Sequence, residues 1–584
     1  MSPLQTPLAI FNSIFFAALL FLWLSPLSSI MAFTPSSIPS LLCCRCRRSS
    51  TALPSSSSTP QQMDTTAPTS SIPVIQRDIL VIGGGSAGLT AAKFAATFSK
   101  TVSLIESSKV GGDCTWTGCI PSKTLLSAAK KCWSWRCFNN QYGISNDGKE
   151  EDEMLRNMLQ DVKKQIDDNR KLIYDKDDSP EALTKLGIDL VEGRASFVDA
   201  KTLDVMSSES DGMMTTSCRL EAKYGIVIAT GAAPKDISKD IAGLDNVPYW
   251  TYENVWNEFF SSIEEDINMM VSQKRVIVVG GGPIGCELSQ AINRLGCSVT
   301  LVASSRLLPR EELEASEELQ KVLEKEGIQV ICNSRVISVT NTDTKGSEVQ
   351  TIEAKLSSGE PIVGNHILVA TGRVPNTKNM GLETLGIQID STSKGIKVNE
   401  KLETDIKGVY AAGDCTGDAQ FTHYAGYQGA IAARNILLPL KDAGVLSEVP
   451  STTFTDPEVA SFGLTEQKAR EEYGEESVSV AYRPLTGVDR AICEGVDAHG
   501  FLKIIYKSKN NQILGATIMA PSAGEMISEL SVAKDAKLSF DALSRVMHSY
   551  PSYSIALQQM AAEVYYEKLK KNRGVYDLLK KAGL

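Results

Sequence analysis

Two cysteines five positions apart, Cys114 and Cys119, sit in the glycine-rich stretch GGDCTWTGCIPSK. A thiol pair at this spacing suits three chemistries: a structural disulfide, half of a metal site, or a redox centre that opens and closes its own bond. A second pair, Cys132 and Cys137, follows after 12 intervening residues, and four thiolates so arranged resemble a zinc ligand set. The intervening IPSKTLLSAAKK, with Pro121 at a first turn and an amphipathic pattern behind it, predicts a helix that holds the pairs apart. A position just ahead of a helix suits redox work, because the positive helix end and nearby cations lower a thiol pKa.

Such a pair needs a frame, and two copies of one pattern supply it. RDILVIGGGSAGLTAAKFAA runs from an apolar strand through Gly83-x-Gly85-x-x-Gly88 into an alanine-rich helix, and KRVIVVGGGPIGCELSQAI repeats this at Gly280, Gly282 and Gly285. These glycines allow a tight turn and close backbone approach, so that a pyrophosphate can rest on the amides of the following helix. The acid expected about 20 residues on separates the copies. After the first, TVSLIESSK places Glu106 to accept from an adenosine ribose. After the second, SVTLVASSRLLPR has Ala303 there, followed by Arg306 and Arg310, a pattern that favours the 2'-phosphate of NADP over NAD.

A chain of 584 residues exceeds a single core and divides into domains. A net charge of -10 offers no basic excess for a phosphate backbone, so nucleic acid is not an expected partner, and 13 cysteines are too sparse for a disulfide scaffold. Residues 1–75 differ in composition: no Asp or Glu precedes Asp64, no Lys precedes Lys93, and Ser, Thr and Pro surround Arg45, Arg47 and Arg48. This is the composition of an organellar transit peptide, with the chloroplast as expected destination and the mitochondrion as alternative. The apolar run Leu8–Leu24 is at the short limit for a membrane span and lacks a basic flank, so the mature form is expected off the membrane.

With IATGAAP at Ile228–Pro234, VATGRVPN at Val369–Asn376 and VYAAGDCTG at Val409–Gly417, the chain resembles the pyridine nucleotide-disulfide oxidoreductase family. That family includes glutathione reductase, dihydrolipoyl dehydrogenase and mercuric reductase, and the cysteine stretch and DRAICEG are similar to the mercuric reductase branch. The resemblance implies an α/β fold of two Rossmann-like domains, for FAD and for NAD(P), with an α+β dimerisation domain. The FAD domain would occupy 76–246 and 366–440, the NAD(P) domain 247–365, and the dimerisation domain 447–584 of a homodimer. It also implies roles: Cys119 as the flavin-facing sulfur, Cys114 as the outer sulfur, and Lys123 paired with Glu287 near the flavin. Gly112, Thr230, Gly231, Gly372 and Asp414 join the cofactor-binding set. The cysteines then form a redox-active disulfide, and no metal site is expected.

Relatives that reduce disulfides end with a histidine and glutamate from the partner subunit as acid/base machinery. Here VMHSYPSYSIALQQMA puts Tyr550 and Ile555 at those positions, with His548 two residues early and only His366, His423 and His499 besides. A phenol of pKa near 10 is a poor proton acceptor at neutral pH. The expected activity is therefore electron passage from NADPH through FAD and the cysteines to a small acceptor: a metal ion, a quinone or an electrophile. The alternatives are a dihydrolipoyl dehydrogenase or glutathione reductase-like enzyme, and a flavoprotein acting as a redox-responsive binding partner.

Overall fold

The computed structural model describes residues 74–143, 148–208, 214–265, 269–342, 351–495 and 499–582, so the leader and its apolar run lie outside the described residues. Among the described residues, no helix is long and apolar enough to cross a membrane.

The first sheet takes β1 (Val74–Ile82), β2 (Val102–Glu106), β3 (Ile188–Glu192), β4 (Arg194–Phe197), β5 (Thr202–Ser208) and β6 (Met214–Ile228) in the order β3-β2-β1-β6-β5-β4. Strands β3, β2, β1 and the end of β6 run parallel, whereas β4 and β5 form an antiparallel flap on the start of β6. Parallel strands covered on both faces read as continuous apolar runs, and Ile79, Leu80, Val81, Leu104, Ile226, Val227 and Ile228 are all buried. Each such side chain removed from water contributes about 1.5–3 kcal/mol.

After β7 (Ala232–Pro234) the chain leaves to build a second layered unit. Strands β8 (Arg275–Val279), β9 (Ser298–Val302), β10 (Gln329–Ile331) and β14 (His366–Val369) form a parallel sheet in the order β10-β9-β8-β14. Beside it lies an antiparallel sheet of β11 (Val336–Asn341), β12 (Ile352–Leu356) and β13 (Pro361–Gly364). The chain then returns: β15 (Arg373–Pro375) pairs with β7, and β16 (Val409–Ala411) pairs with the end of β6. Sequence positions some 180 residues apart thus close one sheet, because the second unit is spliced between its strands.

The last unit is an antiparallel sheet of β17 (Ser451–Thr453), β18 (Glu458–Gly463), β19 (Val478–Pro484), β20 (Phe501–Lys507) and β21 (Ile513–Ala520), in the order β17-β18-β21-β20-β19. Helices Ala523–Asp535 and Ile555–Lys571 pack their apolar residues on it. Lys503 in β20 is 3% exposed and holds Glu312 at 3.0 Å, Glu314 at 2.7 Å and Glu466 at 2.8 Å. A buried ammonium among carboxylates is tolerated only when paired. It ties the loop after β9 to the last unit.

Candidate functional site

The two fingerprint turns are built alike. Gly83 (φ 103°) and Gly280 (φ 124°) take left-handed backbone, and a Cβ on Gly88 or Gly285 would stand 1.8 Å from the carbonyl oxygen of Gly83 or Gly280. Only glycine lets each helix, Ser86–Thr97 and Pro283–Arg294, start this close to its strand. A Cβ on Gly85 or Gly282 would meet no atom closer than 3.9 Å, which leaves the amide ends of both helices open to a ligand.

The first turn opens into a cavity of about 810 Å³, whose wall includes Gly83, Gly85, Glu106, Gly112, Cys114, Thr230, Gly231 and Asp414. Glu106 is held by the amides of Gly84 (2.6 Å) and Ser108 (2.7 Å). Thr230 donates its hydroxyl proton to Asn376 O at 2.6 Å while Asn376 N donates to Gly231 O, so the two ATG segments lock together. Asp414 pairs with Arg373 at 2.9 Å. Burial raises the Asp414 pKa against the Arg373 charge, and it raises that of Asp113 too, which feels Arg373 and Asp414 in opposite senses. Asp113 and Arg373, both on the wall, are additions to the sequence-derived set.

An FAD-sized ligand fits this cavity. Its wall carries polar groups with no protein partner, the buried Thr117 Oγ1 and Arg170 Nε, beside the open Gly85 turn and the Arg373 cation.

The cysteine segment folds as a short turn of helix, Gly112–Trp116, followed by the helix Cys119–Tyr142, whose first residue is Cys119. Cys114 is on the cavity wall, and Cys119 Sγ lies 3.2 Å from Thr422 Oγ1, at the start of the helix Thr422–Leu437. The hydrogen bond from Cys114 lowers the Cys119 thiol pKa; burial opposes this, while Thr422 and the Lys123 charge add to it. The same hydrogen bond, then burial, then the Cys119 charge push the Cys114 thiol up. One thiolate is thereby favoured, and it sits on Cys119. The second pair is elsewhere in character: Cys132 is buried on the cysteine helix and Cys137 is exposed.

Lys123 Nζ meets Glu287 Oε2 at 3.0 Å, which joins the cysteine helix to the second fingerprint helix. Glu287 is 8% exposed, and its Oε1 accepts from Phe454 N at 2.8 Å; the Phe454 ring lies 4.3 Å from Lys123 Nζ. Thr422 and Phe454 were not legible as site residues, since nothing marks them until the fold brings them in.

At the second turn the structure corrects one expectation. Arg306 does not project as a phosphate ligand. Its guanidinium donates to the carbonyls of Leu308, Pro309, Glu311 and Glu312 and shapes the loop before the helix Leu313–Lys325. Arg310 is exposed, and Ala303 is 1% exposed in the place corresponding to Glu106. Gly372 has φ 122° and open space around it, next to Arg373.

Tyr550 is 66% exposed, is not on the cavity wall, and donates to Asp489 Oδ2 at 3.0 Å, a bond that raises its pKa. His548 Nε2 lies 2.7 Å from Glu529 Oε1, and Ile555 begins the helix Ile555–Lys571. One protomer does not bring Tyr550 to the wall where Cys114 sits.

Comparison with known proteins matches residues 77–429 to the pyridine nucleotide-disulphide oxidoreductase family and 449–561 to its dimerisation domain. A mercuric reductase of Lysinibacillus sphaericus is 32% identical over 486 residues, 83% of this chain and 82% of that one. The mitochondrial dihydrolipoyl dehydrogenase of Pisum sativum is 30% identical over 500 residues, covering 84% and 92%. The crystal structure of LpdA from Mycobacterium tuberculosis, 27% identical, superposes with a TM-score of 0.68 over 83% of this chain and 99% of that one.

Proposed function

The chain belongs to the pyridine nucleotide-disulphide oxidoreductase family, as an FAD-dependent enzyme with the family's dimerisation domain, and on that premise we propose that it is a homodimer that passes electrons from NADPH to a small non-disulfide acceptor. The acceptor classes are a metal ion, a quinone or an electrophile. When bound, FAD supplies hydride acceptance and two-electron transfer to a disulfide.

The protein's own groups then have defined tasks. Opening the Cys114–Cys119 bond takes two electrons and one proton and leaves one thiol and one thiolate. The thiolate belongs on Cys119, held by Cys114, Thr422 and Lys123 at a helix amino end. Cys114, which takes up that proton, is the sulfur that meets the acceptor. Glu287 fixes Lys123, and Ala303 offers no carboxylate to repel a 2'-phosphate.

The observation that carries the choice of acceptor is Tyr550. A phenol bonded to Asp489, with its pKa raised, stays protonated at neutral pH and is a poor acceptor for the proton transfer that disulfide exchange needs, and loss of a positioned base typically costs about 10² to 10⁴ in rate. The composition of residues 1–75 supports a chloroplast location. Anaerobic reduction with NADPH followed by a panel of acceptors tests the proposal: quinones, metal ions or electrophiles are expected to reoxidise the enzyme faster than glutathione disulfide or lipoamide. Rapid turnover of either disulfide would overturn it.

A further inference from the structure

We infer that Phe454, the residue that follows β17 in the dimerisation unit, is a positioning residue for hydride transfer, holding the Lys123–Glu287 pair from outside both nucleotide-binding units. Its two neighbours, Thr453 at 3% and Thr455 at 2% exposure, are buried and anchor the strand end, while Phe454 turns outward to the pair. Its backbone amide donates to Glu287 Oε1 at 2.8 Å, and its ring face takes the Lys123 ammonium at 4.3 Å. Glu287 Oε2 is left for Lys123 at 3.0 Å. Both members of the ion pair are therefore contacted by one residue, the carboxylate through a directional bond and the cation through the ring quadrupole.

The contact continues as a ladder. Glu287, Gln290 and Arg294 are spaced three and four apart on the helix Pro283–Arg294 and so share one face. Gln290 exchanges bonds with the Asp456 backbone, accepting from its N at 2.7 Å and donating to its O at 2.9 Å. Arg294 meets the Asp456 carboxylate at 2.9 Å, and Lys130 of the cysteine helix meets its other oxygen at 3.0 Å. The Phe454–Asp456 segment thus grips the second fingerprint helix and the cysteine helix at once. Burial opposes the charge on Asp456, but Arg294 and Lys130 outweigh it and hold the carboxyl below its usual range. A displacement of about 1 Å in such a support is enough to cost up to 10²-fold in rate.

This rests on the assignment of Lys123 and Glu287 to the hydride side of the site, and the test separates the two. Flavin reduction by NADPH is followed by stopped flow in wild type, Phe454→Leu, Phe454→Tyr and Lys123→Ala holoenzymes. The pH profile of iodoacetamide labelling at Cys119, mapped on the reduced protein, gives a readout independent of turnover. Phe454→Leu is expected to slow reduction about tenfold with little change in NADPH KM, and to move the Cys119 labelling midpoint upward as Lys123 swings away. Phe454→Tyr, which keeps the ring face, is expected to restore most of the rate. If the leucine protein does not accumulate as a folded dimer, Phe454→Met, flexible and without a ring face, carries the same expectation. Normal reduction and an unmoved midpoint in the leucine or methionine protein, with Lys123→Ala slow, would overturn the role of Phe454 alone. Wild-type reduction rates in Lys123→Ala would overturn the assignment beneath it.

Discussion

Gly83 to Gly111 and Gly280 to Leu308 follow one backbone course with different contents. The acid position lies 23 residues after the first glycine in both (106 - 83 and 303 - 280). In both, the amide 27 residues beyond the middle glycine (111 - 84 and 308 - 281) donates to that glycine's carbonyl at 2.8 Å. The courses part at their ends. The first ends on Gly111 (φ 105°), whose freedom lets the chain turn at once into Gly112 and Cys114. The second ends on Leu308, 2% exposed, and runs on into a loop braced by Arg306. One frame therefore delivers a thiol to its ligand cavity, and the other delivers a braced loop that carries the exposed Arg310. What a dinucleotide fold does is decided by the loop that returns to it.

The largest expected effect breaks the frames one at a time. Gly88→Val and Gly285→Val each drive a side chain into a carbonyl at 1.8 Å. The first is expected to abolish FAD incorporation, and the second to leave the protein yellow while NADPH reduction falls by about 10²-fold or more, checked by flavin absorbance and stopped flow. If both variants lost FAD equally, the two turns would not be separate sites.

Exchanging the acid position sharpens the contrast. Glu106→Ala removes the acceptor of two amides and is expected to weaken FAD binding by about 10- to 100-fold, measured by release of flavin fluorescence. Ala303→Glu, in the matching position, is expected to lower the NADPH-over-NADH ratio of kcat/KM by about tenfold or more.

The return loop also predicts a pH signature. Because the Cys119 thiol is lowered and the Cys114 thiol raised, labelling at Cys119 in the reduced protein is expected to persist well below pH 8.5, the ordinary thiol value of about 8.5. The sign for stability follows: the reduced fold gains from this thiolate above the ordinary thiol pKa and loses the gain as pH falls through the lowered one. A labelling midpoint at or above the ordinary value would contradict the thiolate assignment.

The smallest effect distinguishes the two arginines. Arg306→Ala is expected to cost about 1–3 kcal/mol in chemical denaturation, from orphaned carbonyls, with NADPH KM changed less than about threefold. Arg310→Ala, at an exposed position, is expected to leave stability unchanged and to raise NADPH KM about threefold.

Much of this is legible in the amino-acid sequence. The glycine spacing and the acid position specify local backbone, and local backbone is what short motifs encode. Arg306 misled because spacing says that a cation is near a phosphate site but not whether four carbonyls of its own loop will claim it. Thr422 stands 303 residues from Cys119, and Phe454 is 167 residues from Glu287. Their roles exist only after two sheets and a spliced unit have closed, so no pattern within either segment announces them.

Lys503 carries a consequence for anyone who would rebuild this protein. The loop that follows Ala303 is pinned through Glu312 and Glu314 to a lysine in another unit, and that lysine is sealed from water. The nucleotide-binding segment is therefore no portable cassette. A chimera that imports a relative's segment without acidic partners at both positions would leave a buried ammonium with Glu466 alone of its three carboxylates, and its loss of stability would come from the seam rather than from the coenzyme pocket it was meant to change.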